Sequence, residues 1–290
     1  MTTMLPEHRR ALLGSTLRIL KTAIAVTPGC LLARSDGDTW EAEVRQSAIN
    51  SDTGWDGNRP FLSAQGSMLR TLLSGYQHGV GLYELSRSSR DFSVALATLT
   101  RAVIEAYARV YWMITAPSPI DLVVRHATLE YQDLRYPVQH DLKVRRTTAP
   151  TPEEQPVVEY RAMIVAFLAK HDLRVSKHGI TEMAEELMSE VYSESMVIYS
   201  GLAAAAHGYG WATSNFFSFA ENDLRPDDQM LIEYHAYVVE TTVVVVDRLV
   251  DAFRPEPPLR ERWEQERDRV LMTLGWFIHN RDVLASKDPT

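Results

Sequence analysis

The sequence predicts an all-α protein, a multi-helix bundle, and three observations carry that prediction. Apolar residues recur at helical spacing, beginning with Leu12, Leu13, Leu17, Leu20 and Ile24. Several segments open with a proline and early acids, a pattern typical of helix starts, at 118–121, 151–154 and 226–228. No two alternating segments are joined by a hairpin turn. We therefore expect helices and no paired strands.

The helices are predicted in order from their periodicity and their stop signals. The first is expected to end at Thr27-Pro28-Gly29, and residues 29–59 are expected to form an irregular loop or lid with a short helix near 40–49. The valine-rich stretch 241–246 continues a helical pattern and is predicted to be helical. The remaining predicted helices cover about 60–86, 90–115, 119–135, 151–171, 180–190, 191–213, 226–253 and 258–279.

The length allows one large helical domain or two smaller ones, and we predict a single helical domain over residues 1–290. An amphipathic C-terminal helix is predicted within 255–290. The net charge is −8 with dispersed basic residues, which argues against a nucleic-acid partner. The single cysteine, Cys30, cannot form an internal disulfide. The N-terminal residues do not resemble a signal peptide, and no segment is apolar enough for a membrane span. A cytoplasmic protein is expected.

The predicted central helix, 90–115, is apolar on almost every side, which predicts that it is buried. From residue 92 to residue 114 its only charges are Arg101, Glu105 and Arg109. At 100° per residue, Arg101, Glu105 and Trp112 share a narrow stripe. The stripe can be a structural ion pair, or it can be one wall of a polar pocket.

A second wall is predicted from YSGLAAAAHGYGW at 199–211. If the helix continues through residue 213, Ser200, His207 and Trp211 lie on one line. The small residues Gly201, Ala205 and Gly208 form a neighbouring stripe that would let another backbone approach closely. His235 shares the core arc of the helix 226–253, so it is either a core histidine or part of the same site.

Other motifs give weaker signals. His126, Glu130 and Asp133 have the i, i+4, i+7 spacing of metal ligands, but they lie away from the apolar face of their helix. We interpret them as a solvated flank. The glycines of GYQHGVG at 75–81 follow no strand, so they do not predict a phosphate-binding loop. No metal and no cofactor are predicted.

The segments RAVIEAYARVYW (101–112) and YSGLAAAAHG (199–208) together resemble uncharacterised bacterial helical proteins related to the HEPN superfamily. The resemblance covers about residues 90–215. It implies a HEPN-like core in which Arg101, Glu105 and His207 converge. Many HEPN proteins are ribonucleases that use an arginine and a histidine four to six residues apart on one helix.

This chain departs from that ribonuclease pattern. Gly201, Leu202 and Ala203 occupy the places where the arginine would stand before His207. Arg135 and His140 have the right spacing, but Pro137 between them should break a helix. Both departures argue against RNA cleavage.

The function we predict is binding of a small organic ligand in an aromatic-walled polar pocket, with acid/base chemistry on that ligand. His207 would be the general acid or base, Glu105 its orienter or proton partner, and Arg101 the anchor for an anionic group. The predicted lining residues are Tyr199, Ser200, Trp112, Trp211 and His235.

Two alternatives remain open. One is a HEPN-like ribonuclease or defence-associated protein. The other is a non-catalytic interaction module that docks partners through the C-terminal helix and segment 29–59. Homodimerisation through exposed apolar residues such as Trp276 and Phe277 is compatible with each function.

Overall fold

The computed structural model describes residues 4–32, 47–88, 93–146, 153–214, 217–218, 223–224 and 228–286, and helices dominate these residues. This confirms the all-α class. The helices are α1 (Pro6–Leu32), α2 (Ala48–Ser51), α3 (Pro60–Ser86), α4 (Ser93–Ile114), α5 (Pro119–Asp133), α6 (Arg135–Gln139), α7 (Val157–Lys170), α8 (Ile180–Ser189), α9 (Ser195–Ala206), α10 (Gly210–Thr213), α11 (Asp228–Phe253) and α12 (Pro257–Ser286). No described helix combines the length and apolarity that crossing a membrane requires.

Two short antiparallel pairs correct the expectation of no paired strands. β1 (Lys143–Arg146) pairs with β2 (Glu153–Pro156), with Lys143 opposite Pro156. β3 (Phe217–Ser218) pairs with β4 (Asp223–Leu224). The predicted helix start at 151–154 is therefore wrong, because Glu153 and Glu154 are extended and the helix begins only after Pro156. Residues 151–152 lie outside the described part of the chain.

The first helix continues through Pro28, where the sequence predicted its end. Cys30 and Leu31, two and three residues further, are buried, and Gly29 lies directly against the side chain of Leu259. Packing of the last turn against α12 thus outweighs the helix-breaking tendency of proline. Of the predicted 29–59 loop, residues 33–46 lie outside the described residues, whereas 47–59 contain α2 and the buried Trp55.

The chain divides into two compact units, each built from separate stretches of sequence. The first comprises described residues within 1–33, 71–110 and 180–290, and the second those within 34–70 and 111–179. In the first unit, α1 packs against α11 and α12, and the buried segment of α4 includes Val103, Ile104 and Ala108. In the second, Trp55 packs with side chains of α5 and α7.

The C-terminal helix is anchored to the first unit by large buried side chains. Trp263 and Phe277 are almost completely buried, and the Trp263 indole donates to Asp247 of α11 at 2.7 Å. Phe277 was expected to be an exposed residue for dimerisation, and that expectation of exposure is wrong. Trp276 is 45% exposed and contacts the His8 ring at a centroid distance of 5.1 Å.

Two glycines of α3 explain how this helix accommodates its neighbours. A Cβ atom on Gly75 would lie 2.5 Å from the Tyr107 ring of α4, and one on Gly79 would lie 2.7 Å from Leu20 of α1. Side chains from other helices therefore occupy the space that a side chain at residue 75 or 79 would need. The glycine-rich sequence of α3 allows close packing and does not interrupt the helix.

His235 of α11 lies in the core of the first unit and has a hydrogen-bond partner on each ring nitrogen. Nδ1 is 2.9 Å from the Thr16 hydroxyl, and Nε2 is 3.0 Å from the Ser86 hydroxyl. Burial, together with the positive charge of Arg9, lowers the pKa of His235 to about 3. The ring is therefore neutral at physiological pH and joins α11 to α1 and α3.

Gly75→Ala should destabilise the protein by about 1–3 kcal/mol, because the added methyl overlaps the Tyr107 ring. Gly81→Ala is the matched control, since its methyl would meet Leu99 at an ordinary 3.5 Å. The control should be neutral or stabilising by about 0.5–1 kcal/mol from helix propensity. Urea denaturation of the two variants checks the contrast, and equal losses would contradict it.

His235→Phe should flatten the pH dependence of stability on the acid side. As pH falls below 6.5, the unfolded chain protonates His235 while the folded protein keeps it neutral until about pH 3. The free energy of unfolding therefore decreases as pH is lowered through this window, by about 1.4 kcal/mol per pH unit for one proton. Denaturation at pH 7 and pH 5 measures the slope, and an unchanged slope in the variant would refute this role.

Candidate functional site

The candidate site lies in the first unit, where side chains of α4 contact Tyr199 of α9 and the histidine that follows this helix. Arg101 and Glu105 stand one turn apart on α4, and Tyr199 projects from α9. His207 directly follows the last residue of α9. The structure thus brings four of the residues singled out in the sequence into one hydrogen-bonded cluster, which we call the Arg101 cluster.

His207 owes its position to a turn that the sequence analysis did not predict. Helix α9 ends at Ala206, and Gly208 adopts a left-handed conformation with φ +69°. The amide of Tyr209 then donates back to the carbonyl of Ala204 at 2.9 Å, which satisfies a carbonyl at the helix end. A Cβ at residue 208 would touch nothing within 4 Å, so lack of space does not explain the glycine. The left-handed backbone conformation favours it instead.

This turn corrects the prediction of a continuous helix over 191–213. The projection that placed Ser200, His207 and Trp211 on one line assumed that continuous helix. Trp211 instead stands on the separate short helix α10, 63% exposed, and Ser200 is exposed on α9. Neither residue has a described contact with the Arg101 cluster.

The stripe of small residues also has a different role from the one predicted. A Cβ on Gly201 would touch nothing within 4 Å, so no backbone of the described residues approaches it closely. Gly201 and Ala205 instead line a shallow groove of about 140 Å³ beside Trp211 and Tyr237. Within the described part of the chain, the close helix contact expected at Gly201 is therefore not formed.

Glu105 holds the Arg101 cluster together. Its Oε1 atom accepts from Nε of Arg101 at 2.7 Å and from the Tyr199 hydroxyl at 2.8 Å. The Arg101 guanidinium also lies 5.8 Å from the centre of the Tyr199 ring. The side chains of Arg101 and Glu105 are only 22% and 29% exposed, so the ion pair is partly shielded from water.

The protonation states of this network follow from its contacts. Burial opposes the charge on Arg101, but the Glu105 carboxylate and Tyr199 outweigh it and raise the pKa of Arg101. Burial and the bond to Glu105 raise the pKa of Tyr199 above its usual value. Arg101 therefore stays charged, and Tyr199 remains a hydroxyl that donates to the carboxylate.

His207 completes the cluster on its exposed side. Its Nε2 atom lies 3.1 Å from Nη1 of Arg101. A guanidinium can only donate hydrogen bonds, so Nε2 must be the acceptor, and a neutral His207 carries its proton on Nδ1. Glu105 reaches His207 only through Arg101 in the described contacts, and it thus positions the arginine.

Two of the residues predicted to line the site, Trp112 and His235, contact residues outside the Arg101 cluster. Trp112, a residue of the second unit, is buried with its indole stacked on the His178 ring at 5.2 Å and beside the Arg125 guanidinium. His235 is the core residue bonded to Thr16 and Ser86. The structure gives both residues structural partners and places neither among the contacts of the Arg101 cluster.

The interpretation of His126, Glu130 and Asp133 as a solvated flank is wrong for His126, and Glu130 is only partly exposed. His126 is 1% exposed beneath the Trp55 ring, and the Trp55 indole donates to Glu130. Burial lowers the pKa of His126 to about 4 and raises that of Glu130 to about 7. The helical pattern of α5 did not predict this burial, because the segment that contains Trp55 covers this side of α5. Among the described residues, no group of three or more acidic, histidine or cysteine side chains could hold a metal ion.

The comparisons with known proteins add no relative to this description. No family model matches the chain, and no curated protein or solved structure matches it either.

Proposed function

We propose that the Arg101 cluster binds the anionic group of a small organic ligand and that His207 exchanges a proton with that ligand. The observation that carries this proposal is the 3.1 Å contact between Arg101 and His207, next to an arginine already fixed by Glu105. A cation and an imidazole side by side form a common arrangement for binding an anion and transferring a proton.

Arg101 supplies the binding charge. Its Nε atom donates to Glu105, and its Nη1 atom lies beside His207. Since Glu105 is held in turn by Tyr199, the arginine is oriented before the ligand arrives. Such preorganisation reduces the entropy lost on binding and favours bidentate recognition of a carboxylate or phosphate.

His207 supplies the proton transfer. In the free protein, its Nε2 lone pair accepts a hydrogen bond from Arg101. An anion that takes over this guanidinium N–H releases Nε2, which can then accept a proton from the ligand. The exposure of His207 and of Ser200 leaves the cluster open to solvent on this side, so a ligand can reach it.

A second candidate function is cleavage of RNA by a HEPN-like core, and the contact between Arg101 and His207 favours it. The sequence around His207 lacks the arginine of the ribonuclease pattern, whereas Arg101 approaches His207 from another helix. Histidine can move the proton of the attacking hydroxyl, and arginine can stabilise the charge that develops on the phosphate. The net charge of −8 favours the small ligand over a polymeric one.

The proposal places the protein in the cytoplasm. Cys30 is the single cysteine, and its side chain is buried in α1. Burial raises the pKa of its thiol to about 12, which disfavours the reactive thiolate. A chain without an internal disulfide suits a reducing compartment.

Nitrogen NMR should find neutral His207 with its proton on Nδ1. Long-range ¹⁵N–¹H correlation spectra, recorded at a pH where the ring is neutral, distinguish the two tautomers. Arg101→Leu removes the donor to Nε2, so this preference should weaken or disappear in the variant. An Nε2–H tautomer in the wild-type protein would contradict the proposed arrangement.

Native mass spectrometry should find a small molecule on the purified wild-type protein. His207→Ala and Arg101→Gln should each reduce the bound fraction by at least about tenfold, since each removes a hydrogen bond to a charged group. His140→Ala is the control, because it removes an exposed histidine from the second unit. Equal occupancy in all variants, or no bound molecule in the wild type, would count against ligand binding at this cluster.

Incubation with a fluorogenic single-stranded RNA in the presence of EDTA separates the two candidate functions. The small-ligand proposal predicts no cleavage above buffer. Cleavage that disappears in both His207→Ala and Arg101→Gln, but persists in His140→Ala, would establish the ribonuclease alternative. Cleavage that persists in all three variants would indicate a contaminating nuclease.

A further inference from the structure

A cationic cleft lies between α1 and α12 in the first unit, apart from the Arg101 cluster. It has a volume of about 390 Å³, which is within the range of small-molecule sites. Gly14, Leu17, Arg18, Lys21 and Thr22 line it from α1 at successive helical spacings. Arg262, Gln265 and Glu266 line the opposite wall from α12.

The lining carries a surplus of positive charge in an acidic protein. Arg18, Lys21 and Arg262 face the cleft with one carboxylate, Glu266, while the whole chain has a net charge of −8. Three cations against one anion leave a local excess of two positive charges. Such a field in a concave site attracts anions.

Two of these cations have no partner among the residues that the structure describes. Neither Lys21 nor Arg262 forms a hydrogen bond or ion pair with any residue that the structure describes. The carboxylate in the cleft accepts from Arg269 at 3.1 Å, and it lies 3.8 Å from Arg18, beyond hydrogen-bond distance. Lys21 and Arg262 are therefore available to a ligand.

Gly14 lines the cleft, and its lack of a side chain is a separate observation that points to a binding site. It lies in the interior of α1, where glycine is less favourable than alanine by roughly 0.5–1 kcal/mol. Gly75 and Gly79 avoid overlap with a neighbouring side chain, but a Cβ on Gly14 would meet nothing within 4 Å. Packing does not require this glycine, and the missing side chain widens the cleft instead.

We propose that this cleft binds a phosphate monoester of a small polar metabolite. Phosphoryl oxygens suit a lysine and an arginine that approach from two sides, because each donates charge-assisted hydrogen bonds. The side chains of Thr22 and Gln265 offer further polar contacts, and Leu17 offers an apolar surface to the rest of the ligand. This site does not depend on the function proposed for the Arg101 cluster, because the two share no residue.

Calorimetric titration with glucose 6-phosphate tests the proposal, with glucose as the uncharged comparison and sodium chloride holding the ionic strength constant. The wild-type protein should bind the phosphate ester and not glucose. The double variant Lys21→Gln/Arg262→Gln should bind it at least about tenfold more weakly. Arg10→Gln removes one positive charge from an exposed site on the same helix, outside the cleft lining, and should bind like the wild type.

Gly14→Leu distinguishes a shaped site from general attraction between charges. The variant keeps every charge and fills the cleft, so it should lose at least about tenfold in affinity while its Tm stays equal or rises. Retained affinity in Gly14→Leu would overturn the proposal. So would equal affinity in the double variant, absence of binding to the wild type, or equal binding of glucose.

Discussion

The arrangement of the candidate site depends on one carboxylate oxygen. Oε1 of Glu105 accepts hydrogen bonds from Arg101 on its own helix and from Tyr199 on α9. The bond to Tyr199 joins α9 to α4, and His207 is the first residue after α9 ends. Without the partly buried acceptor at residue 105, the guanidinium would have to pair elsewhere or be solvated, because partly buried charge is costly when it is unpaired. The position of His207 relative to Arg101 is thus a consequence of the Glu105 pairing.

Residue pattern was sufficient to predict much of this arrangement. The central helix had to be buried because it is apolar all round, and its few charges had to find partners. The Arg101–Glu105 pair follows directly from a spacing of four residues in a helix. The valine-rich part of α11 is helical as expected, since its apolar period continues that of the preceding turns. Each of these features depends on local periodicity, which a single sequence records.

The features that were not predicted depend on contacts distant in sequence. The helix projection through residue 213 treated Gly208 as a helical residue, whereas a left-handed glycine there ends α9 and separates Trp211 from His207. His126 appeared solvated because the periodicity of α5 contains no information about the segment with Trp55 that covers it. The division into two compact units was also not predicted from the sequence, since each unit combines stretches from different parts of the chain. Local pattern cannot report which remote segment occupies a given helix face.

The glycines show how the same local signal acquires different meanings in the folded chain. Gly75 and Gly79 are filled by neighbouring side chains, Gly208 allows a turn, and Gly14 faces open space in a cationic cleft. A helix glycine that neither packs nor turns lowers stability without a structural benefit, and natural chains keep such local conflicts mainly at functional sites.

The charged residues of the Arg101 cluster and of the cationic cleft differ in whether they already have partners. Arg101 is already paired, so a ligand must compete with His207 for it, whereas Lys21 and Arg262 can bind an anion without breaking any contact to a described residue. The two places therefore differ in kind, because described contacts hold Arg101 and none holds Lys21 or Arg262.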